Sequence, residues 1–174
     1  MDLDVLFEKV IEGHPLHWSG IHGLSHWGRV LENGLRLAPL TGADPAVVTL
    51  FAVFHDSRRR NDHHDPGHGL RGAELAAALR GASFRLADRE FELLHHACAL
   101  HTDGLIEGDI TVQTCWDADR LDLGRVGITP RAELLCTPAA RRPELIEWAD
   151  ARAVEEIVPE SVLGLWERLG RQGR

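Results

Sequence analysis

The chain has 174 residues, of which 44% are hydrophobic and 26% charged, and a net charge of -8 with histidine counted neutral. That balance excludes a disordered or fibrous polypeptide, fits one ordinary domain, and argues against an extended nucleic-acid partner, whose phosphates the negative charge would repel. No apolar run approaches the ~20 residues that span a bilayer, so no membrane partner is expected, and the acidic start MDLDVLFEKV is unlike a signal peptide, so the expected location is cytoplasmic.

Helical periodicity dominates, no stretch alternates long enough to argue a sheet, and the expected fold class is all-α. Residues 2 to 12 read as a short amphipathic helix stopped by Gly13 and Pro15. Residues 25 to 38 read as a second, capped by Ser25 and ended by Pro39. Asp44 before Pro45 marks the clearest start, because the carboxylate caps and the proline has no N–H to leave unpaired. The run AVVTLFAVF from Ala46 to Phe54 is apolar on nearly every side, which predicts a helix through the middle of the domain. A polar loop, SRRRNDHHDPGHG, follows it. Further helices are expected near 70 to 80, near 86 to 101, between 109 and 124, and towards the C-terminus, with starts at Thr129 before Pro130 and at Pro159. Cys98, Cys115 and Cys136 are unpaired in spacing and read as small core residues.

Eleven histidines crowd into residues 14 to 26, 55 to 68 and 95 to 101. His55 and Asp56 stand at the end of the wholly apolar helix, where burying an ionised carboxylate beside an imidazole is expensive without compensation. A divalent cation compensates well, taking both as ligands and holding the aspartate ionised. The remaining ligands must come from other helices. His26 in HGLSHWGRV and Asp117 in CWDADRLDLGRVG are the best candidates, with Asp119 and Asp122 sharing a face different from that of Asp117. Mixed imidazole and carboxylate ligands suit manganese, iron, cobalt, nickel or zinc and disfavour calcium.

The order His26, the doublet His55-Asp56, then Asp117 on successive helices resembles the HD-domain metal-dependent phosphohydrolase superfamily. The matching stretches are HGLSHWGRV, LFAVFHDS and DADRLDLG, within roughly residues 20 to 125. The resemblance implies a compact helical bundle spanning 1 to 174 as one domain, with the metal at its centre and helices from 129 to 174 packed on the motif-bearing core. It implies a metal-activated water that attacks a phosphoester or phosphoanhydride, often of a nucleotide. Some relatives hold two ions through two further histidines, a place that His68 and His101 match.

For such a reaction, Arg58, Arg59, Arg60 and Arg71 in or just after the loop, and Arg120 beside Asp117, are candidates to bind phosphoryl oxygens through their planar forks. His68 or His64 is a candidate proton donor to the leaving oxygen, and Asp119 a candidate to orient a ligand. A small phosphorylated molecule is the expected partner, and the oligomeric state stays open, a homodimer included. Two other readings share the ligand set. A di-iron oxygenase of the same fold would need His26, His55, Asp56, His68, His101 and Asp117 together, and a regulatory module would keep the metal for stability without catalysis.

Overall fold

The structure, a computed structural model describing residues 2–172, is all-helical. Its elements are α1 (Leu3–Glu12), α2 (Leu24–Thr41), α3 (Pro45–Phe54), α4 (His68–Leu79), α5 (Asp88–Leu100), α6 (Ile110–Arg120), two 3-10 turns (Leu123–Val126 and Ala132–Leu134), α7 (Pro143–Val154) and α8 (Glu160–Gln172). No strand occurs among the described residues, where the sole sheet-like pairing is an isolated bridge between Arg80 and Phe84. Among the described residues, no helix is long and apolar enough to cross a membrane.

α3 occupies the centre, as its composition predicts. Asp44 caps it by accepting from the N–H groups of Ala46 and Val47, and Val47, Val48 and every residue from Leu50 to Phe54 are buried. With apolar side chains on all faces it packs against α1, α2, α4, α5 and α6. α2 differs. One face buries Leu24, Trp27, Val30 and Leu31, while His26, Arg29 and Asn33 form a buried polar stripe that faces α6 and the turn after it. A smaller second core of Leu37, Leu121, Leu135, Ala139, Ala140, Leu145 and Ala149 lies beneath α7. Trp27 and Trp116 are fully buried, and the three cysteines are free and buried, as expected of core residues.

Three expected boundaries move. α2 is capped by Gly23, not Ser25, and runs through Pro39 to Thr41, ending where Gly42 adopts the left-handed conformation and donates to Ala38. Pro39 is tolerated because the bond it forfeits is to the carbonyl of Leu35, which sits on the exposed side. Thr129-Pro130 opens no α-helix; only the 3-10 turn Ala132–Leu134 follows, because this segment is pinned to α6 by side-chain bonds described below.

α4 approaches its neighbours at two glycines. A β-carbon on Gly69 would stand 2.3 Å from the carbonyl of Cys98 and 2.8 Å from Nδ1 of His101, and one on Gly72 would stand 2.2 Å from the carbonyl of Phe54. These contacts press the start of α4 onto the ends of α3 and α5.

Candidate metal centre

That packing gathers one end of the bundle into a cluster of titratable side chains. His26 is in the first turn of α2, His55 directly follows α3, His68 opens α4, His101 directly follows α5, and Asp119 is in the last turn of α6. The C-terminal ends of α3, α5 and α6, which carry partial negative charge, therefore meet here in a field that favours a cation.

Two triads share no member: ligand-type atoms of His26, His55 and Asp119 lie within 4.8 Å of one another, as do those of Asp56, His68 and His101, and a third set of His22, His26 and Asp56 overlaps both. Asp56 belongs between them. Its Oδ1 lies 3.0 Å from Nε2 of His68 and 3.4 Å from Nε2 of His101, while Oδ2 lies 3.6 Å from Nε2 of His26. The same Oδ2 accepts from Nδ1 of His22 at 2.8 Å.

The hydrogen-bond partners fix which ring nitrogens carry protons. Nδ1 of His26 faces Oδ2 of Asp122 at 2.7 Å, and the Nδ1 atoms of His55, His68 and His101 face the carbonyls of Phe51, Asp65 and Cys98 at 3.1, 2.7 and 2.8 Å. A carbonyl only accepts, and Asp122 is held below the usual carboxylate range by His26 and Arg29 in spite of burial, so each Nδ1 must be the donor. In the neutral rings every Nε2 is then a bare lone pair. Yet Nε2 of His26 stands 3.0 Å from Nε2 of His55, and Nε2 of His68 stands 3.0 Å from Nε2 of His101. Lone pairs at that separation repel unless a positive charge joins them. A proton is a poor candidate in the first pair, since burial pushes His55 down to about 3. A divalent cation fits, for the donors are neutral imidazoles and carboxylates of the kind that transition metals take.

The carboxylates are ready for that role. Burial works against ionisation of Asp119 and Asp56, but the imidazoles that face them, His55 foremost, and for Asp119 the Arg125 guanidinium outweigh it, bringing Asp119 to about 2 and Asp56 well below its usual range. Burial likewise opposes protonation of His101, where Asp56 and Asp119 prevail and raise its pKa.

An outer layer of bonds holds the first in place. Arg29 donates from Nε to Oδ1 of Asp122 at 2.6 Å and from Nη2 to Oδ2 at 3.1 Å, and from Nη1 to the carbonyl of Ile157. The chain Ile157, Arg29, Asp122, His26 thus sets the tautomer and angle of one ring from the α7–α8 joint.

The expected residues divide clearly. His26, His55, Asp56, His68 and His101 come together, and Asp117 does not join them. Its Oδ1 accepts from the N–H of Cys136 at 2.6 Å, and its Oδ2 from the N–H and hydroxyl of Thr137 at 2.8 and 2.7 Å. Burial raises the Asp117 pKa despite these donors. The carboxylate facing His26 and His55 is Asp119, which sequence reasoning placed in the outer layer. Residues two apart on a helix diverge by ~200°, so Asp117 and Asp119 cannot both face the cluster.

Of the five arginines expected at the site, Arg59 alone reaches the cluster, with Nη1 3.1 Å from Nε2 of His68 and 3.5 Å from Oδ1 of Asp56. Arg58 donates to the carbonyls of Val10 and Ser57, Arg71 to Asp65 and nearby carbonyls, and Arg120 to Leu105, Leu134 and Cys136. Arg60 and His64 are exposed on the loop. His68 donates from Nδ1 to the carbonyl of Asp65 and presents an unprotonated Nε2 to Arg59, so the proton-donor expectation for it does not match the geometry. Sequence reasoning missed His22 and Asp122. The signals were there in the spacing of His22 four before His26, and of Asp122 three after Asp119.

The sequence matches no protein-family model and no curated protein. The fold is similar to the crystal structure of a predicted HD superfamily hydrolase from an uncultured Thermotogales bacterium, with a TM-score of 0.63 and 24% identity over 95% of this chain and 91% of that one. The chain therefore has the HD-type helical fold across nearly its whole length.

Proposed function

We propose that the protein is a metal-dependent phosphohydrolase acting on a nucleotide or another small phosphate ester. The observation that carries this reading is the convergence of four imidazole Nε2 atoms on the ionised Asp56 and Asp119 at the open ends of five helices. The similarity in fold to a protein described as a hydrolase supports it. His26, His55, Asp56 and Asp119 would hold one ion, and Asp56, His68 and His101 a second. A divalent cation there supplies Lewis-acid polarisation of a phosphoryl oxygen and makes water acidic enough to react at neutral pH.

The chain's own residues supply the rest. Arg59 places a fork of donors beside Asp56 and His68, where it can bind the phosphoryl oxygens left over and offset their growing charge. His22 holds Oδ2 of Asp56, fixing the plane of the carboxylate that stands between the two triads. Asp122, clamped by Arg29, keeps the lone pair of His26 aimed inward.

A second reading, an oxygenase that uses two irons, draws support from the same six side chains, with Asp119 in place of Asp117. The presence of Arg59 favours phosphate. The test is metal analysis of protein purified without added ions, followed by a screen of nucleoside mono-, di- and triphosphates and cyclic nucleotides. Bound manganese, nickel, cobalt or zinc with turnover of one of these is expected. Stoichiometric iron with a mixed-valent paramagnetic signal and no phosphatase activity would overturn the hydrolase in favour of the oxygenase. Metal that stabilises the fold, with no turnover of any kind, would leave a regulatory module.

A further inference from the structure

A cavity of about 210 Å³ opens at the same end of the bundle, lined by Leu123, Ile128, Pro130, Leu134 and Leu135 with Arg120 beside them. Pockets for a complete drug-sized ligand run to ~300–1,000 Å³, so this one is the size for a single ring or comparable fragment. Two of its walls grow from elements that build the cluster. Arg120 and Leu123 follow Asp119, and Gly104 lies three residues beyond His101. Of the six side chains in the two triads, Asp119 is the most open at 17%, and none of the others exceeds 5%, so the cluster meets solvent on the Asp119 side.

The remaining wall is fixed by the two residues that sequence reasoning had assigned elsewhere. Asp117 ties the chain at Cys136 and Thr137, and Arg120 donates to the carbonyls of both Leu105 and Leu134, stapling the segment after α5 to the segment before α7. Ile128 and Leu134 nevertheless remain 54% and 50% exposed. Apolar side chains held half in water around a rigid, apolar cavity are an unmet burial that a ligand can satisfy.

We propose that this cavity is the specificity pocket, taking a planar apolar group, an aromatic ring or nucleobase, whose attached phosphate reaches the cluster and Arg59. The proposal rests on the hydrolase reading and names its substrate class: phosphate esters of ring-bearing alcohols or nucleosides, in preference to sugar phosphates and inorganic pyrophosphate.

The experiment is calorimetric binding of phenylphosphonate and methylphosphonate to the Mn²⁺-loaded protein, since neither probe carries an ester bond to hydrolyse. Phenylphosphonate should bind at least about tenfold more tightly, the ratio that 1.4 kcal/mol represents. Leu134→Asp and Ile128→Asp should each bring it back towards methylphosphonate, whose own affinity should not change. Both side chains are half exposed, so the variants should fold, and methylphosphonate binding reports an intact cluster. Equal affinity for the two probes in the parent, or a phenyl preference that survives both substitutions, would overturn the pocket assignment alone. Binding of neither probe would overturn the hydrolase reading along with it.

Discussion

Replacing Asp117 or Asp119 with asparagine exchanges one carboxylate oxygen for an NH₂ at positions two residues apart, and the structure predicts opposite consequences. At Asp117 both oxygens accept, one from Cys136 and the other twice from Thr137. An amide has a single oxygen, so in either orientation its NH₂ confronts a buried N–H. One unpaired buried donor costs ~1–3 kcal/mol, and the bonds that remain lose the extra strength of a charged acceptor. Asp117→Asn should therefore destabilise the metal-free protein by about 2–4 kcal/mol, or roughly 5–15 °C in Tm for a chain of this length. It should keep its metal. At Asp119, where no backbone donor is engaged, asparagine should leave the metal-free Tm within a few degrees. It should weaken Mn²⁺ binding by more than the ~10–100-fold typical of losing an outer partner. The assays are thermal unfolding in chelator and calorimetric Mn²⁺ titration of both variants. Asp117→Asn that unfolds normally but loses the ion, or Asp119→Asn that binds it with parental affinity, would refute the assignment of the two carboxylates.

Three further outcomes follow from particular contacts. Gly69→Ala forces α4 away from the carbonyl of Cys98 and from His101; it should cost about 1–3 kcal/mol in chelator and lower Mn²⁺ affinity, and an unchanged melting curve would contradict the close approach. Glu156, at φ 53°, is the non-glycine residue with positive φ among those described, ending α7 so that the carbonyl of Ile157 meets Arg29. Glu156→Gly should relieve that strain and raise stability by about 1 kcal/mol, 2–4 °C, and a fall in Tm would show that its side chain holds the joint. Finally, burial pushes His55 down to about 3, so the unfolded chain takes up a proton near the ordinary 6.5 while the native ring does not. Its contribution is complete above pH 6.5 and is lost as pH falls towards 3. At pH 5 the loss is about 1.5 × 1.36, or ~2 kcal/mol. The pH-stability slope of metal-free His55→Gln should be shallower than the parent's by about that amount, and parallel slopes would count against a buried neutral ring.

Much of this was legible in the residues. The Asp44-Pro45 start and the unbroken apolar run dictate a central α3, and its burial carries His55 and Asp56 inward whatever the other helices do. His26, His68 and His101 could be recognised from their order along the chain. The fine choice between Asp117 and Asp119 was not legible, because it depends on helix rotation. In α6 that rotation is decided by where Cys136 and Thr137 leave two N–H groups to be satisfied, a contact between segments nearly twenty residues apart. The arginine triplet misled for a related reason. Three consecutive cations cannot face one point, and only Arg59 turns inward, while Arg58 is spent closing the end of α1.

Because the donors in the cluster come from the ends of five helices or from residues just past them, the two ions would act together as cross-links among five stretches of chain. Between them they would close loops running from residue 26 to residue 119. Each loop so closed costs entropy that grows only slowly with its length, so tying residues far apart in the chain costs little more than tying near ones. Loading is then linked to unfolding, and a saturating ion should raise the Tm above that measured in chelator. The contacts that prepare the cluster for chemistry would also make a bound cation a structural rivet.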